Sequence, residues 1–273
     1  MIQSEVKILG ILNLTPDSFY DGGRYHTVNE ALRHAGRMLE EGADIIDIGA
    51  FSSRPGAEIP DVTEERRRLM PVLKELVKHF PSALFSIDTF RSDIAREAVA
   101  EGAGMINDIS AGRWDGRMFE TIAALDVPYI LMHMKGTPRT MQQRPGYTDV
   151  VREVRDFFIR RIEELSAFGF DKIILDPGFG FGKTLLHNYQ LLAGLEELRI
   201  GNYPVLAGIS RKSMLYKLLD ISPDEALSAT SAAHCLAILN GADYIRVHDV
   251  NEAKQVIEIC KIYRKAQLSG KNE

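Results

Sequence analysis

Eight short apolar runs, each ending at a polar residue, constrain the fold of this chain more than any other feature. In chain order the runs are Val6–Leu12, Asp44–Ile48, Leu84–Ile87, Met105–Ile106, Tyr129–Met132, Lys172–Leu175, Val205–Ile209 and Tyr244–Val247. Continuous apolar runs bounded by turn residues are typical of strands buried on both faces, as in a parallel sheet. Helical patterns separate the runs, so the sequence predicts an α/β fold with eight strands and eight helical regions.

Polar residues at the carboxyl ends of alternating strands are typical of a (β/α)8 barrel whose active site lies on that face. A weak internal repeat supports the count, because segments 41–47, 101–107, 168–174 and 240–246 each carry a Gly where a helix can end before a strand. A doubly wound sheet would show the same alternation. Its usual Gly-x-Gly-x-x-Gly fingerprint is absent after the first strand, where the chain reads Asn-Leu-Thr-Pro.

We therefore predict a single (β/α)8 TIM barrel and one domain over residues 1–273, since no linker or low-complexity segment divides the chain. A length of 273 residues suits a barrel, which typically has about 250 residues.

Composition limits the partners that this chain can have. The 33 Lys and Arg residues against 38 Asp and Glu residues give a net charge of -5, which provides no general attraction to nucleic acid or to an acidic membrane. No run of about 18 apolar residues occurs, and the first residues carry charges. Cys235 and Cys260 lie among apolar neighbours in predicted helices, which favours core packing in a reducing compartment. We expect a cytoplasmic protein.

Two long loops follow the first two strands. The first contains Asn13, Asp17 and Asp21, oxygen ligands that suit Mg²⁺ shared with a substrate phosphate, although a solvated turn would have the same composition. The second reads Ser-Ser-Arg-Pro-Gly over residues 52–56, and its Ser and Arg donors can close on an anionic or aromatic ligand.

Three hydrogen-bond acceptors end three different strands. They are Asp88, Asn107 and Asp176, and either carboxylate on its own could be a helix cap. Three acceptors that converge on one cavity instead match a ligand with several N–H donors, such as an aminopyrimidine ring.

A basic cluster follows the last two strands. The segment Ser-Arg-Lys-Ser at 210–213 opens a predicted helix, whose first turn favours a carboxylate or phosphate. Arg246 and His248 are two residues apart on a strand and therefore share a face. The loops after strands 7 and 8 form the usual phosphate site of such barrels. The Gly-Lys-Thr at 182–184 does not make a P-loop, because the required first Gly falls at Pro177.

Two other segments have ordinary interpretations. His133, between two Met residues, is interpreted as a packing residue of the cavity wall. The charged run at 64–68 is interpreted as a solvated helix face.

Eight short motifs occur in one order: Asn-Leu-Thr-Pro-Asp-Ser-Phe, Ser-Ser-Arg-Pro-Gly, Ser-Ile-Asp-Thr, Ile-Asn-Asp-Ile, Met-His-Met-x-Gly-Thr-Pro, Asp-Pro-Gly-Phe-Gly-Phe-Gly-Lys, Ser-Arg-Lys-Ser and Arg-Val-His-Asp. Over roughly residues 6 to 250 the chain closely resembles the dihydropteroate synthase family of pterin-binding enzymes. The resemblance implies a folate-pathway transferase that joins 7,8-dihydropterin-6-ylmethyl diphosphate to 4-aminobenzoate. It also implies Mg²⁺ as cofactor, a homodimer and a target of sulfonamides.

The resemblance assigns roles to residues at matching positions. It implies that Asp88, Asn107, Asp176 and Lys212 hold the pterin, and that Asn13, Arg246 and His248 hold the diphosphate, with Mg²⁺ bridging Asn13 and Asp21. The implied aminobenzoate site consists of Phe19, Ser53, Arg54, Pro55, Phe181 and Ser213. Met132 and Gly208 complete the implied substrate-binding set. The residues expected to act in catalysis are Asp21, Arg54, Lys212, Arg246 and His248.

One departure and two alternatives accompany this resemblance. The family's second loop usually reads Gly-Gly-Glu-Ser-Thr-Arg, whereas this chain has Phe51 in place of the Glu and Ser53 in place of the Thr. A methyltransferase acting between a tetrahydrofolate and a corrinoid would share the pterin acceptors, but it has no reason to keep the Ser-Arg-Pro loop or the basic cluster. A noncatalytic pterin-binding protein would be favoured by damage to the first loop or to the basic cluster, and both are intact.

Overall fold

A computed structural model describes residues 5–14, 24–51, 59–141 and 145–269. The strands are β1 Lys7–Asn13, β2 Ile45–Gly49, β3 Leu84–Asp88, β4 Met105–Asp108, β5 Tyr129–Met132, β6 Ile173–Asp176, β7 Leu206–Ala207 and β8 Tyr244–Val247. The helices are α1 Arg24–Glu41, α2 Val62–His79, α3 Ser92–Ala100, α4 Met118–Leu125, α5 Val150–Ser166, α6 Leu185–Ala193, α7 Ser213–Leu219, α8 Leu227–Leu239 and α9 Val250–Ser269, with a short 3-10 helix at Leu195–Leu198. Each predicted strand is present.

The strands form one parallel sheet in the order β6-β5-β4-β3-β2-β1-β8-β7. Its two edges meet, because Leu175 of β6 forms a parallel bridge with Val205 and its N–H donates to the Pro204 carbonyl at 2.9 Å. Sequential strands therefore wind around a nearly closed barrel, and the predicted TIM barrel is confirmed over the doubly wound sheet. That residues 1–273 form a single domain stays a prediction.

The interior of the barrel changes from apolar to polar along the strands. An apolar layer seals the amino-terminal end, and it consists of Leu9, Ile45, Met105, Ile130, Ile174 and Leu206. Because side chains alternate along a strand, the residues two positions further on also point inward. They include Ile11, Asp47, Asn107, Met132, Asp176 and Gly208. The apolar layer is therefore the floor of a polar cavity.

Four helix-to-strand turns follow the repeat seen in the sequence. Gly42, Gly102, Gly169 and Gly241 all have positive φ, from 76° to 107°, just after a helix ends. Only glycine adopts this conformation without strain, so the prediction that these turns end helices is confirmed.

The interpretation of residues 64–68 as a solvated face is wrong at Glu65. This side chain is fully buried, and it accepts a hydrogen bond from the Thr89 hydroxyl at 2.6 Å. Arg91 pairs with its other oxygen and donates to the Pro60 carbonyl. Glu65 faces inward because the first turn of α2 lies against the residues that follow β3, whereas Arg67 is exposed as expected.

The two cysteines lie between α8 and α9 as thiols, with Sγ atoms 3.5 Å apart. Cys260 is buried as predicted, and Cys235 is half-buried. In the described part of the chain no helix has the length and apolar character needed to cross a membrane.

Glu65 provides a test of how the loop after β3 is held. We expect Glu65→Ala to lower the free energy of unfolding by about 3 kcal/mol, because the change leaves the partly buried Arg91 without its carboxylate. Chemical denaturation measures the effect. Glu163→Ala, at an exposed position on α5, is the control and should change stability much less. Equal effects of the two changes would contradict this account.

Candidate active site

A cavity of about 440 Å³, including its open mouth, lies at the carboxyl ends of the strands. Its lining consists of Ile11, Asp88, Asn107, Ile109, Met132, Asp176, Phe181, Gly208, Ser210, Lys212, Arg246 and His248. Of the predicted substrate-binding residues that the structure describes, all but Asn13 and Ser213 are in this set. Asn13 ends β1. Ser213 is half-buried and is the first residue of α7, directly after Lys212 of the lining.

The acceptors in this cavity have unused capacity. The Oδ1 atoms of Asp88 and Asn107 are buried and receive no hydrogen bond from the described residues. In Asp176 the Oδ1 accepts from the Gly178 N–H at 2.7 Å. Buried polar atoms are nearly always paired in folded proteins, so these oxygens are suited to N–H donors of a ligand.

The loop after β6 is fixed by a glycine. Gly178 has φ of +66°, and a Cβ at this position would lie 2.0 Å from the carbonyl oxygen of His133. Only glycine therefore lets the backbone pass this close to β5 and donate to Asp176.

Lys183 holds the same loop from inside, which the sequence reasoning missed. Its buried Nζ lies 2.9 Å from the Gly178 carbonyl, 3.0 Å from the Phe181 carbonyl and 3.0 Å from His133 Nδ1. Burial lowers the pKa of both Lys183 and His133 well below their usual values. His133 also packs edge-on against Phe157, which agrees with its interpretation as a packing residue. The Gly-Lys-Thr motif does signal Lys183, whose role is to organise a loop.

Two cations reach the cavity from the last two strands. Lys212 Nζ donates to the Phe179 carbonyl at 2.6 Å and lies 4.1 Å from the centre of the Phe181 ring. Burial lowers the pKa of Lys212 to about 7, against the opposing effect of Asp176. Arg246 donates from Nε to Asp47 at 2.6 Å. Burial lowers the pKa of Arg246, but the neighbouring carboxylates outweigh burial and the net shift is upward.

Asp88 titrates in an unusual range for a carboxyl. Burial raises its pKa to about 7, although Arg246, 3.4 Å away, opposes the shift. The nearby carboxylates of Asp47 and Asp108 raise it further. The cavity thus contains an acid and a lysine that both titrate near neutral pH.

Within the Ser-Arg-Lys-Ser segment, Ser210 and Lys212 line the cavity while Arg211 turns away from it. Arg211 has φ of +53° and forms two hydrogen bonds to Asp249, at 3.0 and 2.7 Å. The hydroxyl of Ser210 lies 2.9 Å from His248 Nδ1. These contacts join the loop after β7 to the residues that follow β8.

The predicted metal ligands are only partly described. Asn13 ends β1 and lies near Gly49 and Asp88. A Cβ built on Gly49 would be 3.5 Å from Oδ1 of Asn13 and 3.6 Å from Cβ of Asp88. Among residues 5–14, 24–51, 59–141 and 145–269, no group of three or more His, Cys, Asp or Glu residues could hold a metal ion. The remaining predicted site residues lie outside the described residues, and they are Phe19, Asp21, Ser53, Arg54 and Pro55.

Asp47 is the main site residue that sequence reasoning missed. It lies inside the apolar run of β2, and its carboxylate contacts both Arg246 and Asn107. The signal was present, because Asp47 is two residues before Gly49 and so faces the same interior as the strand end. Ile11 and Ile109 also line the cavity, and their apolar side chains gave no signal of function.

The chain matches the model of the family described as pterin binding enzyme over residues 9–248. It is 44% identical over 270 residues to a dihydropteroate synthase of Escherichia coli, covering 98% of this chain and 94% of the relative. Its fold is similar to the Yersinia pestis dihydropteroate synthase solved with a sulfonamide drug complex, with a TM-score of 0.90, 43% identity and coverage of 97% and 96%.

The Xanthomonas albilineans dihydropteroate synthase solved with 4-aminobenzoic acid is also similar, with a TM-score of 0.88, 43% identity and coverage of 97% and 94%. These relatives do not support the corrinoid methyltransferase or the noncatalytic protein as alternatives. With a matching family model, full-length relatives and a shared barrel, the chain belongs to the pterin-binding enzyme family and, within it, to the transferases known as dihydropteroate synthases.

Proposed function

We propose that this chain condenses 7,8-dihydropterin-6-ylmethyl diphosphate with 4-aminobenzoate, giving 7,8-dihydropteroate and diphosphate. One observation carries the proposal: buried acceptors and two cations line a single cavity at the mouth of the barrel. A Xanthomonas albilineans relative, 41% identical, was solved in complex with 7,8-dihydropteroate, which supports the same ligand class here.

The pterin fits the depth of the cavity. Its amino group and ring N–H groups are donors, and Asp88, Asn107 and Asp176 supply acceptors that other protein groups leave free or only partly use. Ile109 and Met132 provide apolar walls for a flat ring.

The reaction breaks the C–O bond between the pterin methylene and the diphosphate, and it forms a C–N bond to the aryl amine. Negative charge develops on the departing oxygen, where Arg246 and Lys212 stabilise it electrostatically. The amine is already neutral near pH 7, and the proton that it loses as the bond forms goes to water or to the released diphosphate, so no strong base is required. His248, held by Ser210, adds a polar group beside the leaving group.

The described residues are compatible with Mg²⁺. This ion usually keeps several waters and takes one or two protein oxygens together with substrate phosphates, so it requires no acidic cluster within the described residues. Asn13 at the end of β1 would supply one such oxygen, and Asp21 would supply the second. When bound, Mg²⁺ would neutralise charge on the phosphate oxygens.

The aminobenzoate site is assigned from the second loop and the cavity rim. We place it among Phe19, Ser53, Arg54, Pro55, Phe181 and Ser213, and we expect sulfonamides to compete for it. Phe51, which replaces the family's Glu, is buried and packs edge-on against Phe90, with ring centroids 5.5 Å apart. Phe51 therefore belongs to an aromatic cluster after the end of β2 that also contains Trp114. A cytoplasmic location stays a prediction.

We also propose a homodimer that covers an apolar surface on the last three helices. Its exposed residues are Leu218, Leu219, Leu236, Ile259, Ile262 and Tyr263. Sedimentation velocity should show a dimer at micromolar concentration, and Ile262→Glu should give a folded monomer because it places a charge in the contact. A wild-type monomer throughout that range would contradict the proposal.

The reaction itself is tested by incubating purified protein with the pterin diphosphate, 4-aminobenzoate and Mg²⁺, and measuring pteroate and diphosphate. We expect both products in equal amounts. Chelation of Mg²⁺ should lower the rate at least about tenfold, and added Mg²⁺ should restore it. Absence of pteroate under all conditions would refute the proposed function.

Two variants separate the roles within this assay. Asp176→Ala should lower pterin affinity at least about a hundredfold, since it removes a buried charged acceptor. Arg54→Ala should leave pterin affinity within about threefold while turnover collapses, because that residue belongs to the aminobenzoate site. Asp171→Ala, at an exposed position before β6, is the control for calorimetry and should match the wild type.

Asp88 makes stability and binding depend on pH in opposite ways. Because its pKa is raised from 3.8 to about 7, the folded protein binds this proton more tightly than the unfolded chain does. The free energy of unfolding without ligand should therefore fall as pH rises between those two values. As the pH rises from about 5 to about 8, we expect the melting temperature of the wild type to fall relative to that of Asp88→Asn.

The same variant should bind the pterin at least about tenfold more weakly at about pH 8, since it loses an ionised acceptor. Differential scanning calorimetry and titration calorimetry provide the two measurements. Parallel melting curves over this range would show that Asp88 does not carry the pH effect.

A further inference from the structure

Asp47 is a fully buried carboxylate that contacts the cavity only through other side chains. Its Oδ2 accepts from Arg246 Nε at 2.6 Å and from Asn107 Nδ2 at 3.0 Å. These partners belong to β8 and β4, and both line the cavity, whereas Asp47 does not. One carboxylate on β2 therefore connects two ligand-facing residues from separate parts of the barrel.

The contact with Asn107 determines which end of that amide faces the ligand. An ionised carboxylate can only accept hydrogen bonds, so the amide must present its NH₂ group to Asp47. The Oδ1 of Asn107 is then the free end, and it is buried without a donor among the described residues. Without Asp47 the amide could rotate and present a donor where the pterin also has donors.

The contact between Asp47 and Arg246 fixes the orientation of the Arg246 guanidinium group. Nε is held by Asp47, while Nη2 lies 3.4 Å from Asp88 Oδ2. A guanidinium held by two carboxylates loses the freedom to swing away from the cavity, which it lines. Its charge is thus placed before any substrate arrives, which is what electrostatic stabilisation of a leaving group requires.

We propose that Asp47 is a positioning residue of the transfer reaction. It orients Asn107 with the carbonyl oxygen toward the pterin and Arg246 with its charge toward the departing diphosphate. This proposal rests on the proposed function, because it takes the pterin as the donor-bearing ligand.

The test uses Asp47→Asn, which keeps the side-chain volume and removes the charge. Calorimetry with 6-hydroxymethyl-7,8-dihydropterin, which lacks the diphosphate, reports on Asn107. Binding of inorganic diphosphate reports on Arg246. We expect both affinities to fall about tenfold or more.

A matched control is Asp243→Asn at the opposite end of the barrel. Asp243 is also buried and also pairs with an arginine, Arg199, at 2.8 Å. It makes no contact with cavity residues, so both affinities should stay within about twofold of the wild type.

A double-mutant cycle distinguishes positioning from a general structural role. In an Asn107→Ala background, Asp47→Asn should lower the affinity for the pterin probe by less than about threefold, because the group that it orients is gone. The same loss in both backgrounds would overturn the proposal, as would wild-type affinities in the single variant.

Circular dichroism checks that each variant is folded. If Asp47→Asn fails to fold, Asp47→Ser takes its place in the cycle, and the same dependence on Asn107 is expected. Failure of this proposal is distinct from failure of the proposed function, because in the first case the wild type still forms pteroate.

Discussion

The structure depends most on the balance of buried charge around Arg246. Asp47, Asp88 and Asp176 supply three carboxylates near the barrel interior, while Lys212 and Arg246 supply two cations. Burying any one of these charges alone would cost a large desolvation free energy. In this arrangement each charge has an oppositely charged neighbour that offsets part of that cost. Burial still dominates at Asp88 and Lys212, whose pKa values both move to about 7. The barrel thus holds groups that gain favourable partners when a polar ligand binds.

Much of the fold could be predicted from sequence because the barrel repeats one unit. Strands buried on both faces read as short apolar runs, and the turns that precede them need glycine, as at Gly42 and Gly241. Closure of the sheet was less direct, since a doubly wound fold has the same periodicity. The absence of a Gly-x-Gly-x-x-Gly fingerprint after the first strand favoured the barrel. The bridge between β6 and Val205 confirms it.

The candidate site was predictable where residues end strands and face a ligand. Asp88, Asn107, Asp176, Lys212 and Arg246 all satisfy that rule and line the cavity. Residues that act on other protein groups were harder to find. Asp47 lies within a strand, Lys183 points into a loop, and Glu65 sits in a charged run that looks solvated. Their roles depend on partners distant in sequence, which local patterns do not contain.

The apolar layer that closes the amino-terminal end of the barrel has a consequence for molecular traffic. Leu9, Ile130 and Leu206 belong to a packed floor, so the chamber above it is blind. Two molecules that share a blind chamber cannot pass one another. The molecule that binds at the floor must therefore enter before the molecule that binds at the rim.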